Sequence, residues 1–139
     1  MGLTYAKITL INSGDAYMAR RRKIKKKDVR QIEVSALVDS GAYMLTINDL
    51  LNDQLGLDVR ETLEVELADG THQKCDIVGP VDLHFKNRRT TCDALVLPGA
   101  TEVLFGAIPL EGLDVVLDPK TQQLDVHPLR PYIAGTKVK

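Results

Sequence analysis

Asp39, Ser40 and Gly41 follow directly on the apolar stretch Ala36-Leu37-Val38 and are followed by Ala42 and Tyr43. Buried carboxylates are rare unless paired or used, so an acid at the end of an apolar strand needs a reason. A carboxylate presented at the bottom of a cleft would be such a reason. Gly41 lets the backbone turn sharply and brings main-chain N–H groups close to the acid. Ser40 is small and can hydrogen-bond to main chain or to a facing copy of itself. The plain alternative is a strand that ends in an ordinary Asp-Ser-Gly turn. Chance composition puts an Asp-Ser/Thr-Gly triplet in about one chain in fifteen of this length, so the rest of the chain has to decide.

The elements around this turn read as short strands. Residues 3–11 form a first strand. From residue 32, Ile32, Val34, Ala36 and Val38 alternate with polar positions and run into Asp39. Met44-Leu45-Thr46-Ile47 resumes an extended run. Asn48 can then cap a short helix in which Leu51 and Leu55 stack, with Gly56 ending it. Leu63, Val65 and Leu67 alternate up to Ala68-Asp69-Gly70-Thr71, a hairpin turn, and residues 72–78 return. Gly79-Pro80 punctuates, residues 81–85 make another strand, and Asn87-Arg88 turns the chain into residues 90–97. A strand over 102–105 ends at Gly106, and Pro109 suits a brief helix over 108–112. Val115 to Leu117 and Leu124 to Val126 flank a type I turn at Asp118-Pro119-Lys120-Thr121.

Many short strands, one or two short helices and regular turns make an all-β barrel or sandwich, one domain over residues 1–127 with a polar C-terminal tail over 128–139. At 139 residues and 44% apolar, with no Trp, the core should be mostly Val, Leu and Ile. No apolar run is long enough to span a bilayer and the N-terminus lacks the basic-then-apolar pattern of a secretory signal, so the expectation is a cytoplasmic protein without a membrane partner. Cys75 and Cys92 read as free thiols on strands. His72, His84 and His127 are too dispersed for a zinc pattern, and neither metal nor cofactor is expected.

Net charge is −1 but unevenly placed. Arg20-Arg21-Arg22-Lys23-Ile24-Lys25-Lys26-Lys27 holds 7 of the 18 basic residues, leaving 11 basic against 19 acidic elsewhere, a balance of −8. Such a run can bind nucleic acid or an acidic surface. The residues around it show no basic–aromatic interleaving, and it reads as a solvated excursion over 13–30, partly helical at most.

Two stretches together resemble one family, the retropepsin-like aspartic proteases of clan AA. Leu37-Val38-Asp39-Ser40-Gly41-Ala42 resembles their catalytic loop, and Val103-Leu104-Phe105-Gly106 with the helix after it resembles their apolar-apolar-Gly segment. Leu67-Ala68-Asp69-Gly70-Thr71 stands where these proteins carry a flap hairpin, and Leu113 to Leu124 looks like the closing strand pair. The similarity covers roughly residues 31–127 and looks closest to the small stand-alone prokaryotic branch.

The resemblance implies a single-lobe acid-protease barrel in which the two loops cross under one another. It also implies a homodimer acting on peptides or unfolded proteins. Aspartic proteolysis needs two facing carboxylates that share a proton, and this chain has one Asp-Ser-Gly turn, so Asp39 would face its symmetry copy. Ser40, Gly41 and Ala42 would support the loop, with Leu104, Phe105 and Gly106 beneath it. Tyr43 and the flap residues Ala68, Asp69, Gly70 and Thr71 would meet substrate. Retroviral members carry small acidic residues where Tyr43 and Met44 stand, and a more glycine-rich flap. They have no counterpart of the 13–30 excursion. Two further readings stand beside this one: a non-catalytic dimeric β module that binds extended peptides in the same cleft, and a nucleic-acid-binding protein using Arg20–Lys27.

Two-lobed relatives place a hydroxyl where Ala42 stands, and that hydroxyl helps to hold the dyad ionised. Without it the shared proton is held to higher pH. The expected rate profile is therefore centred at weakly acidic pH and persists toward neutrality, described by two apparent values of the pair. A profile confined to strong acid would contradict this.

Overall fold

The computed structural model describes residues 3–129. Alternation decides the first two strands. In β1 (Tyr5–Asn12) Ala6, Ile8, Leu10 and Asn12 are buried while the residues between them are exposed or half-buried. β2 (Gln31–Val38) lies antiparallel to it, with Tyr5 opposite Leu37 and Ile11 opposite Gln31. β2 then pairs in parallel with β7 (Val103–Phe105), and β7 meets β3 (Leu45–Ile47) antiparallel. β3 runs parallel to β6 (Arg88–Val96), β6 antiparallel to β5 (His72–Phe85), and β5 returns to β1. Six strands therefore close a barrel, which leaves only β4 (Asp58–Glu66) as an outer strand on β5. Closure removes the exposed sheet edges that six short strands would otherwise present.

The interior is filled mainly by Leu, Ile and Val, with Ile8, Leu10, Leu45, Ile47, Val81 and Leu83 at 0–1% exposure. Each such side chain contributes about 1.5–3 kcal/mol of transfer free energy. Cys75 and Cys92 are free thiols on β5 and β6, and burial pushes the Cys92 thiol up to about 12.

Three α-helices are present among the described residues. Besides the two short ones expected along the chain there is α1 (Ser13–Arg20), the helical part of the charged excursion, for which the sequence predicts partial helix at most. It forms because Asn12 caps it, accepting from Asp15 N at 3.0 Å. The same side chain donates to Leu55 O at 2.8 Å and Gly56 O at 3.3 Å, so a single buried amide serves two helix ends. α2 (Asp49–Leu55) starts at Asn48, which accepts from Leu51 N, and ends at Gly56 in the left-handed conformation, as its sequence predicts. α3 (Ala107–Leu113) buries Pro109 and Leu113.

Other boundaries differ from expectation. Gly79-Pro80 does not split two strands. β5 runs through it with a shift of register between Val78 and Val81, because β6 pairs with both halves. The expected Asn87-Arg88 turn lies one residue earlier. Phe85 pairs with Arg88, which leaves a two-residue turn, and Lys86 takes φ +52° to make it. β8 (Val115–Asp118) and β9 (Gln123–Val126) form their own small hairpin, turning through residues 119–122. The expected C-terminal tail lies, from Arg130 onward, outside the described residues.

The base of the 13–30 excursion is stapled. Arg30 donates to Asp15 through Nε at 2.7 Å, Nη2 at 3.0 Å and its main-chain N at 3.1 Å. Hydrogen bonds from the Arg30 side chain hold the Asp15 carboxyl below the usual carboxylate range. A lowered folded-state pKa contributes stability above the unfolded value and loses it as pH falls through the folded value. Asp15→Asn should therefore cost about 1–2 kcal/mol at neutral pH. The gap to the wild type should close as pH falls below the usual carboxylate range, where the wild-type carboxylate also becomes neutral. Urea unfolding at several pH values measures it. A gap independent of pH would mean that the staple is not ionic.

Candidate active site

Asp39 follows the last residue of β2 and is half-buried; Ser40 and Gly41 beyond it are exposed. Its main chain is held from two sides. Asp39 N donates to Phe105 O at 3.1 Å, extending the parallel pairing of Val38 with Phe105, and Asp39 O accepts from Ala42 N at 3.0 Å. The carboxylate oxygen Oδ1 accepts from Gly41 N at 3.0 Å. Oδ2 has no hydrogen bond among the described residues. The acid is thus fixed in direction by its own turn, with one oxygen left to face outward.

The second loop passes beneath the first. Ala107 N donates to Ala42 O at 2.9 Å and Ile108 N to Tyr43 O at 3.0 Å, so the first turn of α3 is bonded to the Asp39 loop. Gly106 sits in the crossing. A Cβ placed there would lie 2.4 Å from Met44 O and 2.8 Å from Ala42 O. Its φ of −85° suits any residue, so the glycine is required by close approach and not by backbone conformation. Phe105 is fully buried, and Leu104 pairs with Leu37 on one side and Thr46 on the other.

The structure thus brings Asp39, Ser40, Gly41, Ala42 and Tyr43 together with Leu104, Phe105 and Gly106. The flap residues form a separate unit at the β4–β5 tip. Leu67 N donates to Thr71 O at 2.7 Å and Gly70 takes φ +85°. Asp69 accepts from both Thr71 N at 2.9 Å and Thr71 Oγ1 at 2.6 Å, and these bonds hold its carboxyl below the usual range. A tip with one glycine and a doubly bonded carboxylate is stiffer than a glycine-rich one. Among the described residues no hydrogen bond joins it to the Asp39 loop.

The sequence reading missed one exposed apolar residue bonded to the Asp39 loop. Ile108 is 42% exposed, beside the 76%-exposed Tyr43 through their main-chain bond. The available signal was its place two residues after Gly106, on the helix turn that any Asp-loop crossing must use. Gly106→Ala tests the crossing directly. Overlap with two backbone oxygens that cannot rotate away should destabilise the fold by about 3 kcal/mol or more. Gly70→Ala, with no atom within 4 Å, should cost only about 1 kcal/mol for its positive φ. Equal losses in chemical denaturation would contradict this account.

Comparison with known proteins agrees with this geometry. No curated protein matches the chain. Among solved structures, the retroviral protease-like domain of Ddi1 from Leishmania major superposes with a TM-score of 0.58 at 19% identity, covering 92% of this chain and 90% of that one. At that identity the likeness speaks for the fold alone. Residues 23–117, well over half of the chain, match the model of the aspartyl proteases. The closed barrel, the crossed loops and this match together place the chain in the aspartyl protease family, on a retropepsin-like fold.

Proposed function

We propose that the protein is an aspartic endopeptidase whose active site forms between two copies of the chain, with Asp39 of each as the dyad. The observation that carries this reading is the Asp39 loop itself. Its carboxylate oxygen Oδ1 accepts from Gly41 N, its main-chain N donates to Phe105 O, and its loop is braced by the Gly106 crossing, while Oδ2 is left without a partner among the described residues. A lone aspartate cannot be both base and acid in the same step. With a facing copy one carboxylate takes a proton from water as that water attacks the peptide carbonyl. The other, protonated, gives its proton to the carbonyl oxygen. The gem-diol intermediate then collapses and the leaving amine takes a proton from the pair.

Three features support pairing of two chains. Ser40 is exposed and its hydroxyl has no hydrogen bond among the described residues, as a group facing a two-fold axis would in one chain alone. Tyr43 and Ile108 expose apolar surface beside the acid. The β8–β9 hairpin, separate from the barrel, leaves Val116 and Leu117 at 37% and 46% exposure. The alternative, a dimeric module that binds extended peptides without cutting them, has the stiff flap tip in its favour. Activity separates the two.

Asp39→Asn should abolish hydrolysis of an unfolded protein while a folded dimer remains. Two carboxylates about 3 Å apart repel when both are charged, so one must hold a proton. Asn keeps the shape and the hydrogen bonding and removes that charge, but it cannot accept a proton from water. The thermal midpoint of the variant should therefore equal or exceed the wild type's. The difference should widen as pH rises through the titration of the pair, since only the wild type gains a second charge. A variant that still cleaves, or that falls to monomers, would sink the proposal. Wild-type protein that binds the unfolded substrate without cutting it at any pH would establish the binding module instead.

A further inference from the structure

The excursion between β1 and β2 lies at the far end of those strands from Asp39. Tyr5 pairs with Leu37 next to the acid, whereas Ile11 pairs with Gln31 next to the excursion. Its cations therefore belong to a different surface from the cleft. Arg20, Arg21, Arg22, Lys23, Lys25, Lys26 and Lys27 are all exposed, and none forms an ion pair among the described residues. Seven like charges on eight residues repel one another, and a flexible loop would let them spread.

This loop is not free to spread. The Asp15–Arg30 staple closes its base. The end of α1 is closed by a paired hydrogen-bond motif, Lys23 N to Met18 O at 2.9 Å and Arg22 N to Ala19 O at 3.0 Å. That motif needs a left-handed residue, ordinarily Gly or Asn, and here it is Arg22 at φ +60°. A cation thus stands where glycine would be easier, and the capped helix end fixes its place in the run.

The fold also supplies the aromatic that the linear run lacks. Tyr17, 53% exposed, lies under the Arg20 guanidinium, 5.9 Å from ring centroid to Cζ. Arg20 in turn forms one wall of a groove of about 580 Å³ that passes His84, Asp82 and Thr91 to the exposed Arg89 on β6. Asp82 in that groove is engaged by Thr91 Oγ1 at 2.8 Å. A charged track beside a ring capped by arginine is the arrangement that holds a phosphodiester backbone and stacks its bases. An anionic bilayer would ask for a contiguous apolar face. The loop offers only Tyr17 and Met18 as exposed apolar side chains, with Ile24 half-buried.

We infer that this end of the barrel binds single-stranded nucleic acid, with Arg20–Lys27 on the phosphates and Tyr17 stacking on a base. The site stands apart from the proteolytic reading and does not depend on it. The test is fluorescence anisotropy of a labelled mixed-sequence single-stranded DNA oligonucleotide of about 20 nucleotides with the full chain, over a salt series. Log affinity should fall linearly with log salt at about −0.7 per phosphate engaged, a slope between about −2 and −5. Replacing Lys23, Lys25, Lys26 and Lys27 together by Ser should weaken binding at low salt by about a hundredfold and flatten that slope. Tyr17→Ala should weaken it about tenfold with the slope unchanged.

All these side chains are exposed, so circular dichroism and the thermal midpoint should match the wild type, and cleavage by the lysine variant should be unchanged. Asp39→Asn should bind like the wild type, which keeps this result independent of the dyad. Absence of binding at the lowest salt, or full binding by the lysine variant, would overturn the inference. So would unchanged affinity in Tyr17→Ala, or binding to phosphatidylserine vesicles and not to the oligonucleotide.

Discussion

Everything around Asp39 depends on one close approach. The chain from β2 to β3 crosses the chain from β7 to α3 at Gly106, whose missing side chain lets the carbonyls of Met44 and Ala42 come within what would be 2.4 and 2.8 Å of a Cβ. From that crossing follow the parallel pairing of β2 with β7, the antiparallel contact of β7 with β3, and the bonds from Ala107 and Ile108 to the Asp39 loop. The same crossing therefore serves barrel closure and the site: in the strand order β7 lies between β2 and β3, and β3 between β7 and β6. The loop that carries the acid is built from main-chain bonds to buried neighbours such as Phe105, so its precision comes from the core and not from other polar side chains. A side chain carried on main chain that is tied to a packed core is held more closely in place than one carried on a free loop.

What was legible in the sequence was what local chemistry decides. Alternation located β1 and β2; Asn48 and Gly56 located both ends of α2; Asp69-Gly70 located the flap turn. The Asp39 loop and Gly106 were legible because each places an unusual residue at a strand end, and because they occur together in one family's order. What was not legible depends on partners distant in sequence. Gly79-Pro80 looks like a strand break until β6 is known to pair with both of its sides. Asn12 looks like the end of a strand, yet it caps α1 and satisfies carbonyls at Leu55 and Gly56, more than forty residues away. Tyr17 is different, since it stands only three residues before Arg20, and it takes the helix α1 to set the two side by side.

The β4–β5 hairpin poses a different balance. β4 is exposed along nearly its whole length and pairs only with β5, so the hairpin is held by the ladder and by little buried surface. Such a unit opens at low cost as a body. Its tip, however, is tied by Thr71 to Asp69 and resists bending locally. Opening by rotation of the whole hairpin about its junction with the barrel, near Asp58 and Gly79, is therefore easier than opening by a curling tip. Gly79 marks that junction for a physical reason. A side chain there would run into Asp93, which also pairs with Arg60 of β4 at 3.3 Å, so outer strand and barrel wall meet on one carboxylate.

The two ends of the β1–β2 pair carry opposite electrostatic characters, and magnitudes decide how they can affect each other. β2 runs eight residues from Gln31 to Val38, which sets its two ends about 23 Å apart. The screening length at physiological ionic strength is about 8 Å, so the field of the basic loop is lost well before it reaches Asp39. A polyanion on the loop would consequently leave the proton sharing of an Asp39 pair untouched. What it could change is the local concentration of whatever is attached to it. Chains tethered a few tens of ångströms from a cleft experience an effective concentration in the millimolar range, at or above the usual substrate range of enzymes. Coupling between the two ends would then act on how often substrate arrives and not on how fast a bound peptide is cut.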